Sequence, residues 1–208
     1  MKGLRHSLRS TAAVVALAGV IHGQTAGAQP PTNLRIYQAL AASVGDSLAA
    51  SIPPADSPRV NIHIAPADVA WFLRDDVERA FRERHWEVRA GDSARYDAEL
   101  GATAMNVRYT NLRRVGIFGP HLVDRTVTLA ARTRLTDRRT ALVIALGERT
   151  ASFTDTVAVS DVGDIEQASI PVTRGVLPAE DFFSGIAEPL VVVGAIAVAI
   201  FLLFTVRS

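Results

Sequence analysis

Residues 123–146 read VDRTVTLAARTRLTDRRTALVIAL, and this stretch decides the fold. Apolar residues alternate with polar ones through its first half, at Val123, Val127, Leu129, Ala131 and Leu135. This period of two is typical of a strand with one buried face. A tight turn at Asp137–Arg139 leads into a second alternating segment over Thr140–Thr154. The stretch therefore predicts a long antiparallel hairpin.

Amphipathic helices and shorter strands precede this hairpin. The helices are predicted over 32–50 and 66–85, and the strands over 60–64, 86–89 and 98–110. The resulting order is α-β-α-β-β-β-β. It predicts an α+β fold, a two-layer sandwich with two helices on a mostly antiparallel sheet of about five strands.

The N-terminal segment 1–28 has the pattern of a signal peptide. Positive charges at Lys2, Arg5 and Arg9 precede an apolar run over 11–21, and Ala26-Gly27-Ala28 fits a signal-peptidase site. An uncleaved N-terminal anchor is the alternative, but the run is too short to span a membrane as a helix. The exported domain is therefore predicted over 29–154.

The C-terminal segment predicts one transmembrane helix over 186–206 with a cytoplasmic tail at 207–208. Its core, Leu190–Val206, contains no charged side chain, and Arg207 follows as a positive charge at the exit. The segment 155–185 is acidic and then rich in Pro and Gly, which predicts a linker. Together with the leader, this pattern predicts a single-pass type I protein of a bacterial inner membrane, with its main domain in the periplasm.

Composition excludes several functions. The chain has 208 residues and no cysteine, which excludes disulfides, a thiol nucleophile, thiolate metal sites and an acylated N-terminal cysteine. Without the leader, 19 of the 22 basic residues remain against 21 acidic ones, so nucleic-acid binding through bulk charge is not expected. No nucleotide loop, nucleophile elbow or histidine spacing for a metal is present. We expect no catalytic residue, no cofactor and no enzyme activity.

One acidic group offers hard oxygen ligands for calcium. It comprises Asp155, Asp161, Asp164 and Glu166. The group lacks the spacing of a calcium-binding loop, and a solvated acidic loop is the favoured interpretation.

Two features are candidates for partner binding. The first candidate is a patch of four arginines in the hairpin: Arg132, Arg134, Arg138 and Arg139. Arginine side chains can bind phosphates or carboxylates through paired hydrogen bonds. Solvent-facing charge is the simpler interpretation of that patch. Trp71 is the second, because helical geometry turns it away from the apolar stripe of Leu73, Val77 and Phe81. Trp71 either packs under the first helix or marks a binding surface.

Small residues in the C-terminal segment are candidates for helix packing in the membrane. Gly194 and Ala195 would allow a neighbouring helix to approach closely, with Val198 one turn further along. Ordinary anchor composition is the alternative.

The order of elements resembles small α/β domains of bacterial envelope-assembly proteins. The residues that carry the resemblance are Trp71-Phe72, Leu73, Val77, Phe81 and His85-Trp86 leading into a strand. The resemblance covers roughly residues 59–150. The similar proteins are the lipopolysaccharide-assembly lipoprotein and domains of the curli-secretion and TolB N-terminal types. This chain departs from the lipoproteins among them, because it lacks the acylated cysteine and has the predicted C-terminal span instead, and no functional residue is carried over.

These observations favour a non-catalytic, membrane-anchored accessory or assembly subunit that binds a protein of a membrane complex. The alternative is a carrier or sensor of an anionic envelope lipid, which would use the helix–sheet interface and the arginine patch. A filled core with an exposed apolar face would favour the first function, and an apolar pocket would favour the second.

Overall fold

The computed structural model describes residues 29–52, 59–91, 93–116, 119–179, 192–200 and 202–203, so the predicted signal peptide lies outside the described residues. The elements are α1 Asn33–Ala49, β1 Arg59–Ala65, α2 Ala67–Glu83, β2 Glu87–Val88, β3 Tyr96–Arg114, β4 His121–Asp137, β5 Leu142–Ala158 and a short α3 Val162–Ile165. Their order through β5 is the predicted one, and the α+β class is confirmed. The helix α3 and the helical residues 192–200 and 202–203 come in addition to the two predicted domain helices.

The five strands form one mixed sheet in the order β2-β1-β3-β4-β5. β1 is parallel to β2 and β3, whereas β3, β4 and β5 form an antiparallel meander. The prediction of a mostly antiparallel sheet is therefore correct for β3, β4 and β5, and β1 departs from it. The reason is that α2 carries the chain back along β1, and such a crossover returns the next strands parallel to it.

The helices α1 and α2 pack on one face of this sheet. The Thr32 side chain caps α1 by accepting a hydrogen bond from the backbone N–H of Arg35. The two helices approach closely at Gly45, where an added Cβ would lie 3.2 Å from a methyl of Val77. Leu73, Val77 and Phe81 are fully buried, as predicted for the stripe of α2.

The linker predicted over 155–185 is corrected in its first part. β5 continues through Asp155 to Ala158, and the chain then forms a short 3-10 turn, α3 and a second 3-10 turn. Val162, Ile165 and Ile170 are buried in the main core. The domain therefore extends to about residue 175, because apolar residues spaced by acidic ones dock onto the sheet even though they show no regular period.

The described part of the C-terminal segment is helical at 192–200 and 202–203, within the predicted span. Its large apolar side chains are exposed, among them Val193 and Leu203. Within the described parts of the chain, none of the helices combines the length and the apolar character that a membrane crossing requires.

Candidate interaction surfaces

Trp71 is on the outer surface of α2. Its side chain is 62% exposed, so of the two predicted placements the structure shows the exposed one. The indole packs edge-on against Phe72, with ring centroids 5.2 Å apart, and Phe72 itself is buried. Exposed Arg74 and Asp75 follow on the helix. Trp71 is therefore a large aromatic group exposed among charged residues of α2.

Arg132 and Arg134 share the open face of the sheet, as the alternation predicted. Both side chains are exposed. Their cross-strand neighbours are acidic, since Arg134 is opposite Glu99 on β3 and Arg132 is opposite Glu148 on β5. Directly opposite residues of unlike charge attract each other across a sheet. The two arginines therefore belong to a face of mixed charge.

Arg138 and Arg139 are in the turn between β4 and β5. Arg138 forms an ion pair with Asp97 at 3.1 Å and donates to the carbonyl of Gly91. Arg139 is exposed, and its backbone N–H donates to Asp137. Of the four predicted arginines, Arg138 is thus used within the fold, and the patch is smaller than the sequence indicates.

A third surface, which the sequence analysis did not single out, lies at the start of β5. Residues 142–146 read LVIAL, and we call them the β5 apolar run. Leu142, Val143 and Leu146 are exposed, and β5 is the last strand of the sheet order. The signal was available, because a run of five apolar residues departs from the alternation of the rest of the strand.

The opposite end of the meander contains a buried polar cluster. We define the Arg125 cluster as Arg125, Asp155, Asn33, Tyr109 and Thr173. The guanidinium of Arg125 is fully buried and donates to both carboxylate oxygens of Asp155, at 2.8 and 2.5 Å. It also donates to the side-chain oxygen of Asn33 at 2.8 Å. Arg125 falls in the inward phase of β4, between the buried residues Val123 and Val127, and this phase is the sequence signal for its position.

Asn33 connects this cluster to the end of the domain. Its amide donates to the carbonyl of Thr173 at 2.8 Å and to the hydroxyl of Tyr109 at 3.2 Å. Burial raises the pKa of Tyr109 to about 12, so the phenol stays protonated. Gly175 passes so close that an added Cβ would lie 2.7 Å from the Tyr109 ring. The cluster therefore ties residues 173–175 to the start of α1.

The acidic group considered for calcium is divided by these contacts. Asp155 is paired with Arg125, and Glu166 accepts a hydrogen bond from the backbone N–H of Gly175 at 2.8 Å. Among the described residues, no group of three or more potential ligands is arranged to hold a metal ion. The buried side-chain polar atoms of these residues also all have hydrogen-bond partners.

Gly194, Ala195 and Val198 lie in the described helical residues of the C-terminal segment. Among the described residues, no atom beyond the chain neighbours and the helix's own backbone lies within 4 Å of a Cβ added at Gly194, and Val198 is exposed. Helix packing at these positions stays a prediction.

Comparisons with known proteins identify no family. No family model and no curated protein matches the chain. Among solved structures, the chain is similar to a minor lipoprotein from Acinetobacter baumannii, at 9% identity and a TM-score of 0.33, covering 57% of this chain and 82% of that one. It is also similar to the lipoprotein GNA1162 from Neisseria meningitidis, at 13% identity and a TM-score of 0.32, covering 69% and 99%. Both neighbours are bacterial lipoproteins, and similarity at this level decides neither a family nor a function.

Proposed function

We propose that this protein is a non-catalytic accessory protein of the bacterial cell envelope. In this proposal the exported α+β domain is held at the inner membrane by the C-terminal helix. It binds a protein of a membrane complex through the surface around Trp71.

The exposure of Trp71 is the observation that carries the proposal. Tryptophan is enriched in the energetic centres of protein interfaces, where its large surface is removed from water. Here one edge of the indole contacts Phe72, and most of its surface is left for a partner to cover.

The interior of the domain favours the binding of a protein over the binding of a small molecule. Small-molecule sites orient their ligands with a few free polar groups in a pocket. In the described residues, the buried polar side-chain atoms are already paired. An anionic lipid is the weaker candidate, because Glu99 and Glu148 are the cross-strand neighbours of Arg134 and Arg132.

The membrane tether rests on the uncharged run 190–206 and on the exposed apolar side chains of its described helical part. Deleting residues 182–208 tests it by cell fractionation. We expect the full chain in the membrane fraction and the shortened chain in the soluble periplasmic fraction. Recovery of the full chain as a soluble protein would contradict the tether.

The partner surface is tested by Trp71→Ala in the full chain, with Val115→Ala as a matched control. Val115 is also exposed, at 50%, in the connection between β3 and β4. After mild-detergent purification, Trp71→Ala is expected to lose co-purifying protein while its thermal unfolding stays unchanged. The proposal fails if both variants retain the same partners as the wild type.

A further inference from the structure

Two carboxylates beside Trp71 have no ion-pair partner. Asp68 lies three residues before Trp71 on α2 and Asp75 lies four residues after it, and both residues are exposed. Residues at these spacings are neighbours on the surface of a helix. Within the described residues, neither carboxylate takes part in an ion pair or a hydrogen bond. We call Asp68, Trp71 and Asp75 the Trp71 face.

The other charged side chains of α2 form ion pairs with one another. These pairs are Arg74–Glu78, Arg82–Glu78, Arg79–Asp76 and Arg79–Glu83. All three arginines of the helix are therefore engaged by other carboxylates, and the uncompensated negative charge is that of the Trp71 face. Asp68 is in the first turn, where a carboxylate also favours the start of the helix. Asp75 is in the middle of the helix and has no such role.

The exposed indole of Trp71 is suited to contact with a cation. The face of an indole attracts arginine and lysine side chains through its quadrupole. The chain makes this kind of contact elsewhere, since the guanidinium of Arg95 lies 5.0 Å from the centre of the Tyr96 ring. Among the described residues, no cation lies over the Trp71 ring, because the neighbouring Arg74 pairs with Glu78 instead. The indole and its two carboxylates are therefore open to a cation from another molecule.

We propose that the Trp71 face binds an arginine or lysine side chain of the partner protein, with the cation over the indole and the carboxylates of Asp75 and Asp68 beside it. The partner segment is therefore basic. A phospholipid surface fits this face less well, because its phosphates would meet the same carboxylates. This inference rests on the proposed function, since it assigns the chemistry of the partner that Trp71 binds.

Peptides of opposite charge test the chemistry of the Trp71 face. Binding of fluorescent hexa-arginine and hexa-glutamate to the full-length protein in mild detergent is measured by anisotropy. The wild type should bind only hexa-arginine, and more weakly as salt is added. Trp71→Ala should weaken this binding about threefold, and the Asp68→Asn, Asp75→Asn double variant about tenfold. Asp164→Asn, which removes an exposed carboxylate from α3, is the matched control and should bind as the wild type does.

Co-purification of the partner separates this inference from the proposed function. If Trp71→Ala loses the partner and the double variant retains it, the partner surface stands and its basic partner is overturned. If both variants retain the partner, the proposed function fails and this inference fails with it. Equal binding of hexa-arginine by the double variant and the wild type, or an equal loss in Asp164→Asn, also overturns the inference.

Two further measurements examine other occupants of the Trp71 face. The full chain carrying Trp86→Phe has Trp71 as its one tryptophan, so its fluorescence in reconstituted vesicles reports on Trp71 alone. Quenching of this fluorescence by brominated phospholipid would assign the face to the membrane. Self-association of the wild type that the double variant loses would assign it to a second copy of the chain. We expect neither result, and either one overturns the proposal.

Discussion

The two ends of the long meander invert the usual distribution of polar and apolar groups. At the end near Thr173, the Arg125 cluster places the guanidinium of Arg125 and the amide of Asn33 inside the domain, with the half-buried carboxylate of Asp155 beside them. At the other end, the β5 apolar run places leucine and valine in solvent. Polar groups are inside at one end, and apolar groups are outside at the other.

The difference between these ends is whether each group has a partner. In the Arg125 cluster, every member is hydrogen-bonded within the domain. These bonds join the start of α1 to residues 173–175. The β5 apolar run has no such partner strand along its open edge in the described structure, and Trp71 is exposed on the outer surface of α2. The buried cluster is therefore structural, and the function is to be sought at the exposed apolar groups.

Truncating the chain before Asp155 should have the largest effect on the stability of the domain. A chain of residues 29–154 ends where the sequence placed the domain boundary, and it loses Asp155 together with the buried Ile165 and Ile170. We expect no cooperative unfolding from this chain, because Arg125 would be buried without its carboxylate. A chain of residues 29–179 should unfold cooperatively by circular dichroism. Equal cooperativity in the two chains would mean that residues 155–175 do not belong to the core.

Arg125→Ala should have the next largest effect. Removing the buried guanidinium leaves the half-buried carboxylate of Asp155 without its ion-pair partner and the oxygens of Asn33 and Pro31 without their donor, which together should cost about 3 kcal/mol. Arg132→Ala on the same strand is the control, since its exposed side chain should change the free energy of unfolding by no more than about 0.5 kcal/mol. Urea unfolding of both variants measures the difference, and similar losses would refute the structural role of the Arg125 cluster.

Tyr37→Phe tests a single bond near the same end. The hydroxyl of Tyr37 donates to the carbonyl of Val172 at 3.1 Å, and the side chain is fully buried. Removing it should cost about 1 kcal/mol, because the carbonyl loses its partner. A variant as stable as the wild type in urea would show that residues 171–173 are held by other contacts alone.

Loss of the exposed ion pairs of Asp46 and Glu87 in acid should have the smallest effect. A hydrogen bond from Arg84 holds the pKa of Asp46 below its usual value, and one from Arg89 does the same for Glu87. A folded pKa below the unfolded one gives stability that is fully present above the unfolded pKa of about 4 and is lost as the pH falls from there through the lower folded pKa. Thermal unfolding between pH 6 and pH 3 should show this decline, reduced by added salt. A salt-independent decline would assign it to other groups.

The sequence predicted the helices and strands well, since each has a clear period. The alternation of Val127, Leu129 and Ala131 gave both the strand and its buried face, and the stripe of α2 gave Leu73 and Phe81. The parallel pairing of β1 was missed, because strand direction in a sheet depends on the path of the connecting helix and not on the strand's own pattern.

The buried cluster and the domain boundary were harder to predict. Arg125 sits in an inward position, yet a charged residue is buried only when distant residues supply its partners. Here Asn33 and Asp155 are separated from it by 92 and 30 residues. The local composition of 155–166 predicted a solvated acidic loop. Long-range contacts instead pack this segment onto the sheet.

Site-specific photo-cross-linking at position 71 tests the central claim most directly. A photoreactive phenylalanine analogue replaces Trp71 in the full chain, a second chain carries it in place of Val115, and intact cells are irradiated. We predict a discrete, light-dependent adduct between the chain labelled at position 71 and another protein, and none from position 115. An absence of adducts at position 71, or the same adducts from both positions, would contradict the assignment of Trp71 to a partner surface.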